Sequence, residues 1–168
     1  FIDVFCIGDG EEMMVEVCEV LERTKGLPRR ERIAELCKIT GCWSKGVNNN
    51  VDKRLSPLTN EYASTSYPIP FSSSVHDRAI IEIRRGCGRM CRFCQACFVN
   101  LPIRERSASS VEKLVDDSLR NTGYEEYSLL SLSSNDYNGI IPLLGCMSQK
   151  YAREGISVSL PSQRADKF

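Results

Sequence analysis

The chain has 168 residues, with 22 Lys and Arg against 22 Asp and Glu and a formal net charge of zero, so bulk charge gives no grip on nucleic acid or on an anionic membrane. The length suits one domain, or a domain with a piece of another. No apolar run approaches the roughly 18 residues needed to cross a bilayer, and the opening FIDVFCIG lacks the basic flank and cleavage site of a signal peptide.

Residues 2–7 (IDVFCI) read as a buried strand, short and rich in β-branched and aromatic side chains. Gly8-Asp9-Gly10 breaks it. A helix is expected from about Glu11 to Lys25, with Glu11 and Glu12 in the first turn, where the helix dipole favours carboxylates; Gly26 and Pro28 end it. A second, shorter helix is expected over about 29–39, with Ile33, Leu36 and Cys37 on one face. From Gly41 the pattern fails. Asn48-Asn49-Asn50, three prolines and a run of serines make residues 41–78 a connecting segment, because a structureless stretch of that length inside one domain is unusual. His76, the single histidine, lies in it and reads as a turn or surface residue.

A new unit begins at the strand 79–84 (AIIEIR), and a cysteine-rich loop follows it directly. Ser109-x-x-Glu112 reads as a capping box opening a helix to about Asn121, with Val111, Leu114, Val115 and Leu119 as its apolar face and Gly123 after its end. Residues 126–132 read as a strand. Residues 140–153 read as a helix with Pro142 in its first turn and Gly155 beyond its end, and 156–160 as a third strand. This alternation predicts an α/β fold with a parallel sheet and right-handed crossovers.

Nine cysteines are many for this length, and four of them crowd into residues 87–97. A disulfide scaffold spreads its cysteines to staple distant loops. Clustered thiols in a chain without a signal read instead as metal ligands in a reducing compartment, the cytoplasm. The motif is Cys87-Gly-Arg-Met-Cys91-Arg-Phe-Cys94. Thiolates are soft ligands suited to iron–sulfur clusters. The spacing puts three sulfurs on one tight loop, and Gly86 and Gly88 permit the backbone angles such wrapping needs. Arg84, Arg85, Arg89 and Arg92 surround the thiols and are expected to favour thiolates; as isolated arginines they would read as a solvated face. A zinc site would want four ligands in two separated pairs. Cys91-x2-Cys94-x2-Cys97 matches half a bacterial ferredoxin run, but the fourth cysteine with its proline is missing. Cys97 reads as a small buried thiol.

Cys-x3-Cys-x2-Cys with an aromatic before the last cysteine, just after a strand, resembles the signature of the radical SAM superfamily. That resemblance implies a parallel barrel with a 4Fe-4S cluster at the end of its first strand, held by Cys87, Cys91 and Cys94. Its fourth iron would chelate S-adenosylmethionine, which is cleaved reductively to a 5′-deoxyadenosyl radical. Phe93 would then pack near the adenine. Ser133 and Ser134, in the LSSNDY segment after the second strand, occupy the place of the family's contact to the methionine amino group; as plain sequence they read equally as a capping loop. Ser159 and Arg164, in SLPSQR after the third strand, fall where the family contacts ribose or carboxylate. A guanidinium suits that task, though a solvated loop arginine is the plain alternative.

The segments RRGCGRMCRFCQACFVNLPIRERS, TGYEEYSLLSLSSNDY and VSLPSQRADKF, with the opening IDVFCIGDGEE, resemble more narrowly the bacterial radical SAM proteins that carry a B12-binding domain and have no characterised role. This implies that residues 1–40 are the C-terminal piece of a cobalamin-binding-like Rossmann domain and residues 79–168 the N-terminal half of the barrel, three βα units long. Phe1 in place of Met, and a barrel pattern that stops after three strands, lead us to expect a piece of a longer protein. Cobalamin belongs to the intact relatives; no Asp-x-His-x-x-Gly stretch here carries a ligand for it. The resemblance further implies an electron donor such as a flavodoxin or ferredoxin, no membrane partner, and a substrate left open among RNA, a ribosomal component and a small molecule. The alternatives are a non-enzymatic electron-transfer cluster protein completed by Cys97, a zinc-stabilised module, and an inactive fragment.

Overall fold

The computed structural model describes residues 1–72, 75 and 77–167; His76 lies outside the described residues. The chain is mixed α/β and divides into two units, Phe1–Pro57 and Leu58–Phe168. The boundary falls within the segment read from sequence as a connection.

In the first unit, strand β1 (Phe5–Cys6) pairs antiparallel with β2 (Cys42–Trp43). Helix α1 (Glu11–Arg23) carries both carboxylates in its first turn, and helix α2 is Arg29–Leu36. Met13, Val20, Leu36, Ile39 and Cys42 form its core, with Val4, Val17 and Leu21 against it. Arg54 ties the unit together: its guanidinium bonds Glu12 at 2.8 Å and Glu16 at 2.7 Å. The opening strand is shorter than expected and not buried, with Ile2 65% and Phe5 46% exposed. A two-residue ribbon over a small core has only one face to cover, so an apolar run there does not become an interior strand.

The second unit is built on a parallel sheet of order β3-β6-β7: Ala79–Glu82, Glu126–Leu130 and Ser157–Ser159. Ala79 lies opposite Tyr127, and Tyr127 opposite Val158. Helices α4 (Ala108–Thr122) and α5 (Ile140–Tyr151) make the crossovers. Their apolar faces meet the sheet in one core that includes Ile81, Ile83, Val111, Val115, Leu129, Leu143 and Met147. Each such side chain contributes about 1.5–3 kcal/mol on burial. The cap of α4 is Ser107, not Ser109: the Ser107 hydroxyl accepts from the Ser110 amide at 3.2 Å. Ser107 has the extended backbone (φ −66°, ψ 152°) that an N-cap needs, whereas Ser109 is already helical.

Strand β4 (Arg84–Arg85) follows β3 and pairs antiparallel with β5 (Arg104–Glu105). The cysteine segment therefore leaves and returns at one place, beyond the carboxyl end of β3. The short helix α3 (Gln95–Val99) lies within it. Among the described residues no helix is long and apolar enough to cross a membrane.

Candidate functional site

The loop begins at Gly86, whose φ of 88° is left-handed. A Cβ there would stand 2.6 Å from the Asn100 carbonyl, so only glycine lets the outgoing and returning chains approach this closely. Met90 also takes a left-handed φ, 49°. That is uncommon for a residue with a side chain, and it curls the three residues between Cys87 and Cys91. The Cys94 amide then closes a turn on the Cys91 carbonyl at 2.9 Å.

Cys87 and Cys94 are half-buried and Cys91 is exposed. Cys97 is buried and donates its thiol to the Cys94 carbonyl at 2.9 Å. Burial pushes its pKa up, and the charges of Cys94, Cys87 and Cys91 push it further. Among the described residues, however, no three Cys, His, Asp or Glu side chains are drawn into a metal-holding cluster. The chemistry of the donor set fits a cluster with one open iron: three soft thiols on a single loop, and a fourth already engaged by the backbone.

The expected arginine environment differs in kind. Arg84 Nε lies 3.0 Å from Glu105, Arg85 Nη2 2.8 Å from Glu82, and Arg89 Nη2 2.7 Å from Asp136. Three of the four loop arginines are thus matched by carboxylates: Glu105 on the paired strand, Glu82 three residues earlier on β3, and Asp136 far off in sequence. Asp136 is the centre of this network. Its side chain is 6% exposed; it accepts from Arg89 and from Arg164 Nη1 at 2.9 and 3.1 Å, and from the Ser133 hydroxyl at 2.9 Å. The Arg89 bonds above all, with Ser133 and Arg164, hold its carboxyl well below the usual carboxylate range.

The remaining sequence candidates are placed as follows. Phe93 is 92% exposed on the loop. Ser133 is committed to Asp136, and Arg164 to Asp136 and Asp166. Ser134 is fully buried, its hydroxyl donating to the Pro161 carbonyl at 2.6 Å. Ser159 lies in β7 opposite Ser128. Ser133, Ser134 and Arg164 converge beside the loop, but their polar atoms are spent on joining the segments after β6 and β7. Sequence reasoning missed Asp136 as the common partner of Ser133 and Arg164. The available signal was an acid after the second strand with arginines in the loop and after the third.

A cavity of about 280 Å³ opens at the carboxyl ends of the strands, with Arg84, Gly86, Asn100, Ser131, Leu132 and Ser162 in its wall. Arg84 Nη1 is buried without a hydrogen-bond partner among the described residues, and Ser162 holds a left-handed φ of 57°. Unmet polar atoms and backbone strain of this kind gather at ligand sites, and the carboxyl ends of parallel strands are where such sheets bind ligands.

No known family profile matches the chain. It is 26% identical over 170 residues to an uncharacterised protein of Methanocaldococcus jannaschii, an alignment covering 99% of this chain and 34% of that protein. It is 31% identical over 109 residues to a CDK5RAP1-like protein of Caenorhabditis elegans, covering 65% of this chain and 19% of that one. A CDK5RAP1-like protein of Oryza sativa subsp. japonica is also 31% identical, over 130 residues, covering 77% of this chain and 19% of that protein. The chain thus spans about a third of the length of the archaeal relative and about a fifth of the other two.

Proposed function

We propose that the chain is the cluster-bearing part of a radical SAM enzyme, with Cys87, Cys91 and Cys94 as ligands of a 4Fe-4S cluster and S-adenosylmethionine taken up at the strand ends beside them. The observation that carries this reading is the position of the three thiols: one glycine-gated loop beyond the first strand of a parallel sheet, next to a cavity with an unmet guanidinium nitrogen. The chemistry such a cluster supplies when bound is one-electron reductive cleavage of S-adenosylmethionine to a 5′-deoxyadenosyl radical. In this reading the chain's own residues hold and orient: the Arg89–Asp136–Arg164 network fixes the loop against the segments after β6 and β7, and the cavity wall receives the ligand. An electron donor such as a flavodoxin or ferredoxin is required, and the substrate is left open among RNA, a ribosomal component and a small molecule.

The same reading makes β3, β6 and β7 the first strands of a barrel and residues 1–40 the end of a cobalamin-binding-like domain. The antiparallel pairing of β1 with β2 lends that last part no support, and no role is assigned to cobalamin. A second reading, a four-cysteine electron-transfer cluster, is favoured by one observation: the Cys97 thiol lies against the Cys94 backbone, with its sulfur 2.9 Å from that carbonyl. Anaerobic reconstitution with iron and sulfide, followed by EPR of the reduced sample with and without S-adenosylmethionine, separates the two. A spectrum altered by S-adenosylmethionine supports an open iron, an unaltered one supports the second reading, and zinc uptake in place of iron defeats both.

A further inference from the structure

Four cysteines lie in the first unit, and two of them face each other. Cys6 on β1 and Cys42 on β2 are directly opposed in the ladder, with their sulfurs 3.9 Å apart. Next to them the Ile7 amide donates to the Gly41 carbonyl at 2.7 Å, while the Cys42 amide turns away to the Ile39 carbonyl at 3.0 Å. The pair therefore sits at a non-hydrogen-bonded position, where opposed Cα atoms come within about 4.5 Å. A disulfide accepts Cα separations of roughly 4.4–6.8 Å, so side-chain rotation alone brings these sulfurs together.

We propose that Cys6 and Cys42 form a redox-active dithiol that exchanges with low-molecular-weight disulfides and closes into a cross-strand bond. The two thiols are unequal in a way that sets the order of events. Cys6 is exposed, whereas Cys42 is fully buried, so a small disulfide reaches Cys6 first. The Cys6 thiolate attacks one sulfur of oxidised glutathione, forming a mixed disulfide and releasing one glutathione thiolate, which takes up a proton. Cys42, deprotonated in turn, attacks the Cys6 sulfur and releases the second glutathione. The protein loses two protons and two electrons, and one glutathione disulfide becomes two thiols. Burial, then the neighbouring Cys6, pushes the Cys42 thiol up to about 12, so the second step is the slow one and quickens as pH rises. Cys37 lies near enough to act on Cys42 electrostatically, but it has no thiol contact with it.

The test uses the whole chain under anaerobic conditions with oxidised glutathione, quenched by alkylation and mapped by peptide mass. The expected product is a peptide pair joined through Cys6 and Cys42, lost again on reduction with dithiothreitol. Cys42→Ala should arrest the reaction at a glutathione adduct on Cys6. Cys6→Ser, at an exposed position that leaves packing intact, should abolish the cross-link and leave Cys42 reduced. A lasting adduct on Cys6 in the unmodified chain with Cys42 still reduced, or a dominant Cys37–Cys42 link, would overturn the proposal.

Discussion

Arg89 and Asp136 stand 47 positions apart in the chain and meet through two hydrogen bonds, of 3.0 Å and 2.7 Å. Arg89 lies between the first two cysteines of the loop, and Asp136 in the turn that follows β6. Because Asp136 also holds Arg164 and Ser133, one carboxylate joins the loop to both neighbouring strand ends.

Replacing Asp136 by Asn removes that charge while keeping the side-chain shape. The carboxyl's folded pKa lies below its unfolded value, so the folded state binds fewer protons and stability falls as pH falls. The contribution is complete above the unfolded carboxylate pKa of about 4 and fades as acid carries the pH through the lower folded value. Urea midpoints of the parent and Asp136→Asn chains should differ most near neutrality and approach each other below about pH 4. A separation independent of pH would contradict the pairing. Faster amide exchange over residues 86–94 in the variant is expected alongside.

Cysteine replacements divide the two cluster readings. Cys87→Ala, Cys91→Ala and Cys94→Ala should each abolish bound iron after reconstitution. Cys97→Ala should retain iron at the parent stoichiometry, because its thiol is already spent on the Cys94 carbonyl. Iron lost equally from all four variants would instead favour four-cysteine ligation.

Two glycines with similar backbone angles should respond differently to alanine. Gly123, after α4, has φ 74° and open space around it, so Gly123→Ala costs only the left-handed conformation, about 1–2 kcal/mol. Gly86, at φ 88°, adds a collision with the Asn100 carbonyl at 2.6 Å. Gly86→Ala should therefore lower the urea midpoint further than Gly123→Ala and reduce iron uptake, which Gly123→Ala should leave unchanged.

Arg106 is buried and serves as a clasp. Its Nε donates to the Glu82 carbonyl at 2.8 Å and its Nη1 to the Leu58 and Thr59 carbonyls at 3.1 and 2.8 Å. Its own carbonyl accepts from the Tyr137 hydroxyl at 2.7 Å. Lysine keeps the charge but not the planar fork. Arg106→Lys should cost about 1–3 kcal/mol in denaturant melts and speed amide exchange around residues 59–63.

The long helices and the three parallel strands were legible because each shows its own period: apolar residues at 3.6 spacing in α4, and short β-branched or aromatic runs at β3 and β6. The thiol loop was legible because its spacing is local. The β4–β5 pair was not, since two-residue strands have no period and Arg84 meets Glu105 only across the whole loop. The cap of α4 was misplaced by two residues because Ser107, Ser109 and Ser110 are chemically equivalent and only backbone angles choose among them. Asp136 was overlooked for a related reason: its partners come from two other segments, and no window of sequence contains all three.

The pairing of loop arginines with carboxylates has a kinetic side. Arg84, Arg85 and Arg89 each have an acid to match, which leaves Arg92 as the one loop arginine without an ion pair among the described residues. Read as four free cations, this loop would draw in an acidic redox protein over long range, at rates that collapse as salt is added. With three of the four charges matched at close quarters, the loop keeps far less cationic reach than its sequence suggests. A docking protein would have to find this face largely by shape and short-range contact, and its association rate should fall less steeply with added salt than four free cations would dictate.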